Sequence, residues 1–560
     1  MKYIVSADEM RKLEQNAIRR IGIPEEVLME RAAYAVWQEL LKEAGPEDSV
    51  LFLCGTGNNG GDGLAAARMA YLGGLRVSVA IVSKDSVRVF SLKNEDESSE
   101  VGRSPEESSD TEHSDFSRTE SRKRRTDGNS VSDGEISPTQ ATEGEPLPPR
   151  CSAGFAGQFA ILSKLCEFVG KDWNPGEYTI VVDAVFGIGL SRPIAGTYGE
   201  CIRKIRRERQ NGKLRVISVD VPSGIHADTG AVMGIALEAD KTVTFGWEKP
   251  GLLLYPGAGC AGKTVTADIG IPPEASVLGA GTVRHLEMSD ILALPKRNPD
   301  THKGNYGKVA IIAGSGGMCG AALLAAKAAY RAGAGIVTVI SAEENRIPIQ
   351  TALPEAIFAP RSRAEEMIAR ADCLAIGPGL GTDAEAEKLV ALALSSGKPA
   401  VADADALNCI SHSRAARDTD LYGLLHERVI VTPHVVEMAR LTGLSSAEVR
   451  ENPLKTAREF AAGYGCVCVL KGARTVISDG GKRTFLNTSG NAGMAVGGSG
   501  DVLTGIIAGL LGAEPDVCGA AALGVYIHGL AGDRAAERLG ERSMTSADIL
   551  DGISAAFTGR

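Results

Sequence analysis

Two glycine-rich stretches carry the residue types best suited to chemistry. The first is Leu53-Cys54-Gly55-Thr56-Gly57-Asn58-Asn59-Gly60-Gly61-Asp62-Gly63, which combines a G-x-G-x-x-G spacing with two amides and a carboxylate. That spacing alone is a weak sign of a dinucleotide loop, and Asp85 is a poor candidate for the ribose-binding acid expected about 20 positions on. Amides and a carboxylate in a glycine turn also make an oxygen-rich nest for phosphate or a monovalent cation. A tight structural turn is the alternative. The second stretch is Asn491-Ala492-Gly493-Met494-Ala495-Val496-Gly497-Gly498-Ser499-Gly500-Asp501-Val502-Leu503-Thr504-Gly505, with helical spacing directly after it. Glycine-rich backbone at a helix N-terminus can cradle a phosphoryl group in transfer. Asp501, in the first turn, could accept a hydroxyl proton as phosphate moves, without a Walker loop.

Further loops share this character. Asp183-Ala184-Val185-Phe186-Gly187-Ile188-Gly189-Leu190-Ser191-Arg192-Pro193 offers glycines, a hydroxyl and a guanidinium, the makings of a phosphate cradle. In Asp220-Val221-Pro222-Ser223-Gly224-Ile225, the Asp is a base or a cap and the Ser a cation or phosphate ligand. The C-terminal half adds Thr301-His302-Lys303-Gly304-Asn305-Tyr306-Gly307, Gly314-Ser315-Gly316-Gly317, Gly377-Pro378-Gly379-Leu380-Gly381 and Asp403-Ala404-Asp405-Ala406-Leu407-Asn408. Thr432-Pro433-His434 with Glu437, and Lys471-Gly472-Ala473-Arg474-Thr475, complete the set.

Many of these loops follow an apolar run of strand length. Strands are expected at 50–54, 75–82, 179–183 and 216–220, with helices over 63–72 and 155–169. After a loosened stretch at 272–297, strands at 308–313, 336–340, 373–376, 400–403, 429–431 and 466–470 and a helix at 321–332 form a second series. Alternating β and α units imply parallel sheets with ligand sites at the strand C-termini. The expected fold class is therefore α/β, two three-layer domains in tandem over residues 1–275 and 276–560.

Residues 85–150 stand apart. Between 91 and 150 there are 15 acidic and 8 basic residues, with few apolar ones. Such a segment cannot offset its ordering entropy, so a disordered insertion in the first domain is expected. A docking role for Arg122-Lys123-Arg124-Arg125 is the alternative.

The chain has 560 residues, 44% hydrophobic and 23% charged, as in ordinary globular proteins. Aromatic content of 5% and a net charge of −10 argue against nucleic acid as a partner. Eleven cysteines lie scattered, mostly in apolar runs, with no C-x-x-C pair to suggest zinc, and point to a reducing compartment. The N-terminus has no apolar h-region, and no uncharged run has membrane length. The expectation is a cytoplasmic protein without a membrane partner.

Taken together, CGTGNNGGDGL, VDAVFGIGLSR, DVPSGIHADTG and the closing DIGIP resemble the NAD(P)H-hydrate epimerase domain, over about the first 270 residues. Leu28-Met29-Glu30-Arg31-Ala32-Ala33 is similar to that family's LMENAG, departing at Arg31 and Ala33. The resemblance implies a Rossmann-like domain that epimerises the hydrated nicotinamide ring at its hydroxyl-bearing carbon. It implies substrate binding by Asn58, Asn59, Gly60, Gly61, Asp62, Gly187, Ile188, Gly189, Leu190, Ser191, Arg192, Pro193 and Asp220. Asp220 would be the catalytic base, and Asn59, Asp183 and Ser223 would hold potassium.

From about His302 to Ile553 the loops resemble the ADP- or ATP-dependent NAD(P)H-hydrate dehydratases, a ribokinase-like family. Here His434-Val435-Val436-Glu437 replaces the family's His-Pro-Gly-Glu, and Val496 a usual Thr. The resemblance implies Asp501 as catalytic base, and Ala321, Gly379, His434 and Asp501 against the substrate. Lys471, Gly472, Ala473, Arg474, Thr475 and Gly500 would hold the nucleotide, with magnesium on its phosphates. The combined expectation is a bifunctional enzyme acting on NADH hydrate and NADPH hydrate. It would interconvert the R and S forms and dehydrate the S form with ADP, or ATP, releasing AMP (from ADP) and phosphate. A homo-oligomer is expected. The rival reading is a vitamin-precursor kinase carrying a non-catalytic N-terminal binding domain.

Overall fold

The computed structural model describes residues 1–92, 148, 150–212, 214–279, 281–413, 420–513 and 516–558. Two sheets organise them. The first has eight strands, in the spatial order Cys166–Gly170, Val87–Leu92, Arg76–Val82, Ser49–Cys54, Ile180–Ala184, Arg215–Val219, Lys241–Phe245 and Lys263–Ala267. From Arg76–Val82 to Lys263–Ala267 every neighbouring pair is parallel. Val87–Leu92 runs antiparallel on one edge, followed by Cys166–Gly170. The chain moves outward from Ser49–Cys54 and returns to its other side as Ile180–Ala184, so the order reverses between these two strands. Ligand crevices of open α/β sheets lie at such reversals.

The central strands read as continuous apolar runs because both faces are covered. Val50, Leu51, Phe52, Leu53 and Cys54 are all fully buried. The helix Asn58–Leu72 starts earlier than its apolar spacing suggests, at the amides themselves. It presses tightly on the sheet: a Cβ at Gly63 would lie 2.5 Å from the Ala184 Cβ, and one at Gly60 would collide with the Gly55 carbonyl oxygen. These glycines are required by close approach of backbone to backbone.

Two expectations need correction. The segment expected to leave the fold at Asp85 first adds the strand Val87–Leu92, whose Val89, Phe90 and Leu92 are buried. Residues 93–147 of that segment lie outside the described residues. The run expected as one helix over 155–169 is the helix Ala153–Leu162 followed by the edge strand Cys166–Gly170. Short apolar runs do not distinguish helix from strand by periodicity alone.

The second sheet has eleven strands: Lys2–Ile4, Val283–His285, Thr484–Leu486, Val476–Ser478, Val467–Leu470, Val429–Val431, Ala400–Ala402, Cys373–Ile376, Lys308–Ile312, Ile336–Ser341 and Ile357–Pro360. From Val467–Leu470 to Ile357–Pro360 the pairs are parallel. Their order reverses between Lys308–Ile312 and Cys373–Ile376. The helices Cys319–Arg331 and Ser499–Leu511 pack on one another so closely that a Cβ at Gly505 would meet the Ala325 carbonyl oxygen.

The halves are joined by more than the linker. Lys2–Ile4, the first strand of the chain, pairs antiparallel with Val283–His285 in the second sheet. Leu254 buries its side chain in the second half's core. No helix among the described residues is long and apolar enough to cross a membrane.

Candidate functional sites

In the first half, the loops after Cys54, Ala184 and Val219 meet at the reversal point around a cavity of about 640 Å³. Asn58, Asn59, Asp62, Gly187, Ile188, Gly189, Leu190 and Asp220 all line it. Gly60 and Gly61 are buried behind the wall, where they set helix packing. Ser191, Arg192 and Pro193 are exposed beyond its lining.

Asp220 is held in a left-handed backbone conformation with φ 63°, unusual for a non-glycine residue. Such strain collects where surrounding structure over-determines a functional residue. Its Oδ1 accepts from Lys249 Nζ at 2.7 Å and Thr244 Oγ1 at 3.2 Å, while Oδ2 accepts the Ile188 N–H at 3.3 Å. Lys249 is fully buried, and its ammonium also donates to Thr244 Oγ1 and the Phe245 carbonyl, both at 2.8 Å. All three of its donors are thereby used, so the pair is rigid as well as neutral. The sequence reading missed Lys249. It stands 29 residues past Asp220 in no recognised motif, and only the adjacency of parallel strands brings them together.

Asp183 is fully buried, and its partners are all neutral donors. These are Ser223 Oγ at 2.6 Å, the Ser223 N–H at 2.8 Å, Ser218 Oγ at 3.0 Å and the Val185 N–H at 3.4 Å. Burial pushes its carboxyl above the ordinary range against those hydrogen bonds. Asn59 has a buried amide nitrogen without a partner among the described residues, and its Oδ1 would lie 2.9 Å from a Cβ at Gly187. Ser223 Oγ reaches the same loop, accepting the Phe186 N–H at 3.0 Å. The Asp183 carboxyl, Ser223 Oγ and Asn59 Oδ1 gather oxygen atoms at one loop with no basic side chain bonded to Asp183 among the described residues, a donor set that fits a weakly hydrated monovalent cation.

Arg31 stands clear of this cavity. Leu28, Met29 and Ala32 of its helix line the wall, whereas its guanidinium lies outward beside Gly270 and Asp268.

In the second half, the loops after Ala402, Val431 and Leu470 meet the helix Ser499–Leu511. Asp403 Oδ1 accepts from Lys471 Nζ at 2.6 Å, and Oδ2 from Thr504 Oγ1 at 2.7 Å. Burial works to raise the Asp403 carboxyl, but the Lys471 charge and these bonds hold it below its ordinary value. Burial likewise works against the Lys471 ammonium, which Asp403, Glu437 and Asp501 carry above its ordinary value. Gly500 sits over this pair: its Cβ would lie 3.5 Å from Lys471 Nζ and 3.6 Å from Asp403 Oδ2. Asp501, the next residue, has no hydrogen-bond or ion-pair partner among the described residues. Burial, then the Asp403 charge, push its carboxyl up to about 6 against the pull of Lys471.

Gly498 caps the helix with φ 89°; the Ser499 and Val502 N–H groups donate to the Val496 and Gly498 carbonyls, leaving the Gly500 and Asp501 N–H groups as the open donors of the first turn among the described residues. Behind it, burial pushes His528 down to about 4, and its Nε2 lies 3.3 Å from Ser499 Oγ.

His434 caps the helix Val435–Thr442. Its Nδ1 accepts the Val436 and Glu437 N–H groups at 3.1 and 3.2 Å, and Glu437 Oε2 accepts the His434 N–H at 2.8 Å. The N–H groups this box uses belong to residues 436 and 437, so Val-Val serves the helix start here. The imidazole stays half exposed, and Lys471 N–H donates to the neighbouring Pro433 carbonyl at 2.8 Å. Gly379 and Ala321 touch across the loops after Ile376 and Ile312, since a Cβ at Gly379 would be 3.2 Å from the Ala321 Cβ.

Gly472 and Ala473 are exposed, and Thr475 is buried. Arg474 reaches into the first half. Its Nε donates to the Leu253 carbonyl at 3.2 Å, and its guanidinium lies 5.7 Å from the Tyr255 ring centre. That contact could not be read from sequence.

Family models match both halves: residues 25–251 fit "YjeF-related protein N-terminus", and residues 309–555 fit "NAD(P)H-hydrate dehydratase". The chain is 35% identical to a bifunctional NAD(P)H-hydrate repair enzyme of Thermofilum pendens, over 99% of this chain and 96% of that protein. It is 35% identical to the protein of the same name from Moorella thermoacetica, over 98% and 95%. A crystal structure of the ADP/ATP-dependent NAD(P)H-hydrate dehydratase of Bacillus subtilis, co-crystallised with ATP and Mg2+, is 31% identical. It covers 50% of this chain and 98% of that one, with a TM-score of 0.44.

Proposed function

The chain belongs to the family of bifunctional NAD(P)H-hydrate repair enzymes, and on that premise we propose how its two sites divide the work. The first half interconverts the R and S forms of hydrated NADH and NADPH. The second dehydrates the S form at the expense of ADP. The observation that carries this reading is the convergence of each half's motif loops at the C-terminal ends of its parallel strands, with one reactive carboxyl at each: Asp220 at the first sheet's reversal and Asp501 over the Asp403–Lys471 pair.

In the first half, Lys249 and Thr244 occupy Asp220 Oδ1 and leave Oδ2 at the loop 187–189. The substrate carbon bears a hydroxyl beside a ring nitrogen, so it inverts by losing and regaining that hydroxyl, with proton transfers to positioned groups. Asp220 takes the proton. Asn58, Asn59 and Asp62 with the loop 187–190 bind the ring and ribose, and exposed Ser191–Pro193 meet the diphosphate at the rim. Potassium, held by Asn59, Asp183 and Ser223, would supply a fixed positive charge beside that loop.

In the second half, Asp501 deprotonates the ring hydroxyl, which takes a phosphoryl group from the nucleotide. The first-turn amides beyond Gly498 stabilise the charge in transfer. Phosphate then leaves as an adjacent ring carbon gives up its proton, restoring the dihydropyridine. Hydroxide is a poor leaving group and phosphate a good one, so nucleotide cleavage drives dehydration. Residues 471–475 and Gly500 hold the nucleotide, and Ala321, Gly379 and His434 meet the nicotinamide. Magnesium would be carried in on the nucleotide's phosphate oxygens.

The test is to give the purified chain mixed epimers of NADH hydrate with magnesium, potassium and either ADP or ATP. Full return of the NADH absorbance, faster with ADP, is expected. A stable phosphorylated product without NADH would instead show a kinase.

A further inference from the structure

We propose that Glu14 is a second catalytic residue of the epimerase half, the acid that protonates the departing hydroxyl while Asp220 takes the proton of the returning water. This rests on the epimerase reading above. It adds a residue outside every glycine loop.

Glu14 lies on the helix Ala7–Asn16, closed at its start by a reciprocal Ser6–Glu9 capping box. Met10 and Leu13 face the core, and Arg11, Glu14 and Gln15 form the adjoining stripe, continued by Ile18 in the π-helical turn Ala17–Ile21; these four line the cavity that Asp220 lines. Three and four residues apart, these side chains share one helical face. The charged and titratable groups facing Glu14 are Arg11 and Arg19 beside it, and Glu25, Asp62, Tyr198 and Asp220 across the cavity, with Lys249 behind Asp220.

Most of these carboxyls and cations are already engaged. Arg11 donates to the Ile188 carbonyl at 3.1 Å, Glu25 accepts from Asn58 Nδ2 at 2.8 Å, and Asp220 is gripped by Lys249. Glu14 has no hydrogen-bond or ion-pair partner among the described residues, though it is partly buried in the cavity wall. A carboxyl desolvated without a partner is one that awaits a ligand or keeps its proton. Burial first, then the Asp220 charge, push Glu14 up to about 7, opposed by Lys249 and Arg11. Asp62 also stands above its ordinary range through burial and the same neighbours. Glu14, near neutrality, can give its proton and regain it.

The step balances. The carbon–oxygen bond breaks as the hydroxyl takes the Glu14 proton and leaves as water, the ring-nitrogen lone pair forming the iminium. Water adds to the other face, and its surplus proton passes to Asp220. Solvent exchange restores both carboxyls, and the roles reverse for the opposite epimer.

The test uses the full chain and its second half as an internal control. Glu14→Gln should lower the epimerisation kcat by ~10²–10⁴-fold, the range of a lost general acid. KM for the hydrate and the rate of dehydration of the S form should be unchanged. In the wild type, epimerisation should fall above about pH 7 as Glu14 loses its proton; in Glu14→Gln that limb should vanish. Glu14→Asp should recover part of the rate with a displaced limb, and Glu25→Gln, which removes one of the charges that raise Glu14, should move the limb to lower pH without abolishing it. Wild-type rate and an intact alkaline limb in Glu14→Gln would overturn the assignment. If Asp220→Asn meanwhile abolishes epimerisation, the epimerase reading still stands. A wild-type chain that does not interconvert the epimers would overturn both.

Discussion

Each half sets an aspartate beside a lysine at the C-terminal end of a parallel sheet, yet the two lysines serve different partners. In the first half, Lys249 grips the reactive carboxylate itself, with Asp220 Oδ1 2.7 Å away. In the second, Lys471 grips Asp403 at 2.6 Å and leaves Asp501 unpaired among the described residues. The second arrangement lets burial and the Asp403 charge push Asp501 up to about 6, close to where a general base works best at neutral pH. The first leaves proton donation to the cavity's other carboxyls. One motif-level description, an aspartate in a glycine loop, thus conceals two electrostatic designs.

The comparison breaks most sharply with the aspartates. Asp501→Asn should lower dehydration kcat by ~10²–10⁴-fold and leave epimer interconversion untouched, read by chromatographic separation of the epimers. Equal loss of both activities would contradict two independent sites.

Lys249→Met should come next. It strands the Asp220 carboxylate in a buried position, at a cost of about 3–5 kcal/mol. A lower melting transition is expected together with loss of epimerisation. Asp220→Asn/Lys249→Met should regain part of the stability without regaining activity.

The pH profile sharpens the contrast. Asp501 must be unprotonated to act as base, and its carboxyl stands near 6. Dehydration kcat/KM should therefore fall about tenfold per pH unit below that point. An acidic limb near 4, the ordinary aspartate range, would contradict the role given to burial and Asp403.

Smaller effects test the contact between halves. Tyr255→Ala removes the ring beside Arg474, worth about 0.5–1 kcal/mol at an exposed site. Nucleotide KM should rise ~2–5-fold, the same energy read as affinity, with epimerisation unchanged. Arg31→Ala should alter neither activity, because Arg31 faces away from the cavity.

Local patterns made much of this legible. The strands before the loops and the meeting of the Asn59, Asp183, Asp220 and Ser223 loops at the strand ends follow from apolar runs ending in glycine and aspartate. What stayed hidden depends on contacts distant in the chain. Lys249 is an ordinary lysine until adjacent strands place it against Asp220. Glu14 is one of several acids on an amphipathic helix until that helix closes the cavity. The strand Lys2–Ile4 is too short to announce that it pairs 279 or more residues away, with Val283–His285. Val87–Leu92 was obscured because it adjoins a highly charged stretch, although it buries Phe90 and Leu92 on one face of the sheet and Val89 on the other.

The most direct test of the two-site account compares the wild type with Asp220→Asn on an epimer mixture of known ratio, with ADP, magnesium and potassium present. The wild type should recover all the NADH. Asp220→Asn should recover the S fraction at the wild-type rate and then continue only as fast as the epimers interchange unaided. Complete recovery by Asp220→Asn at the wild-type rate would contradict the account, as would loss of the initial phase.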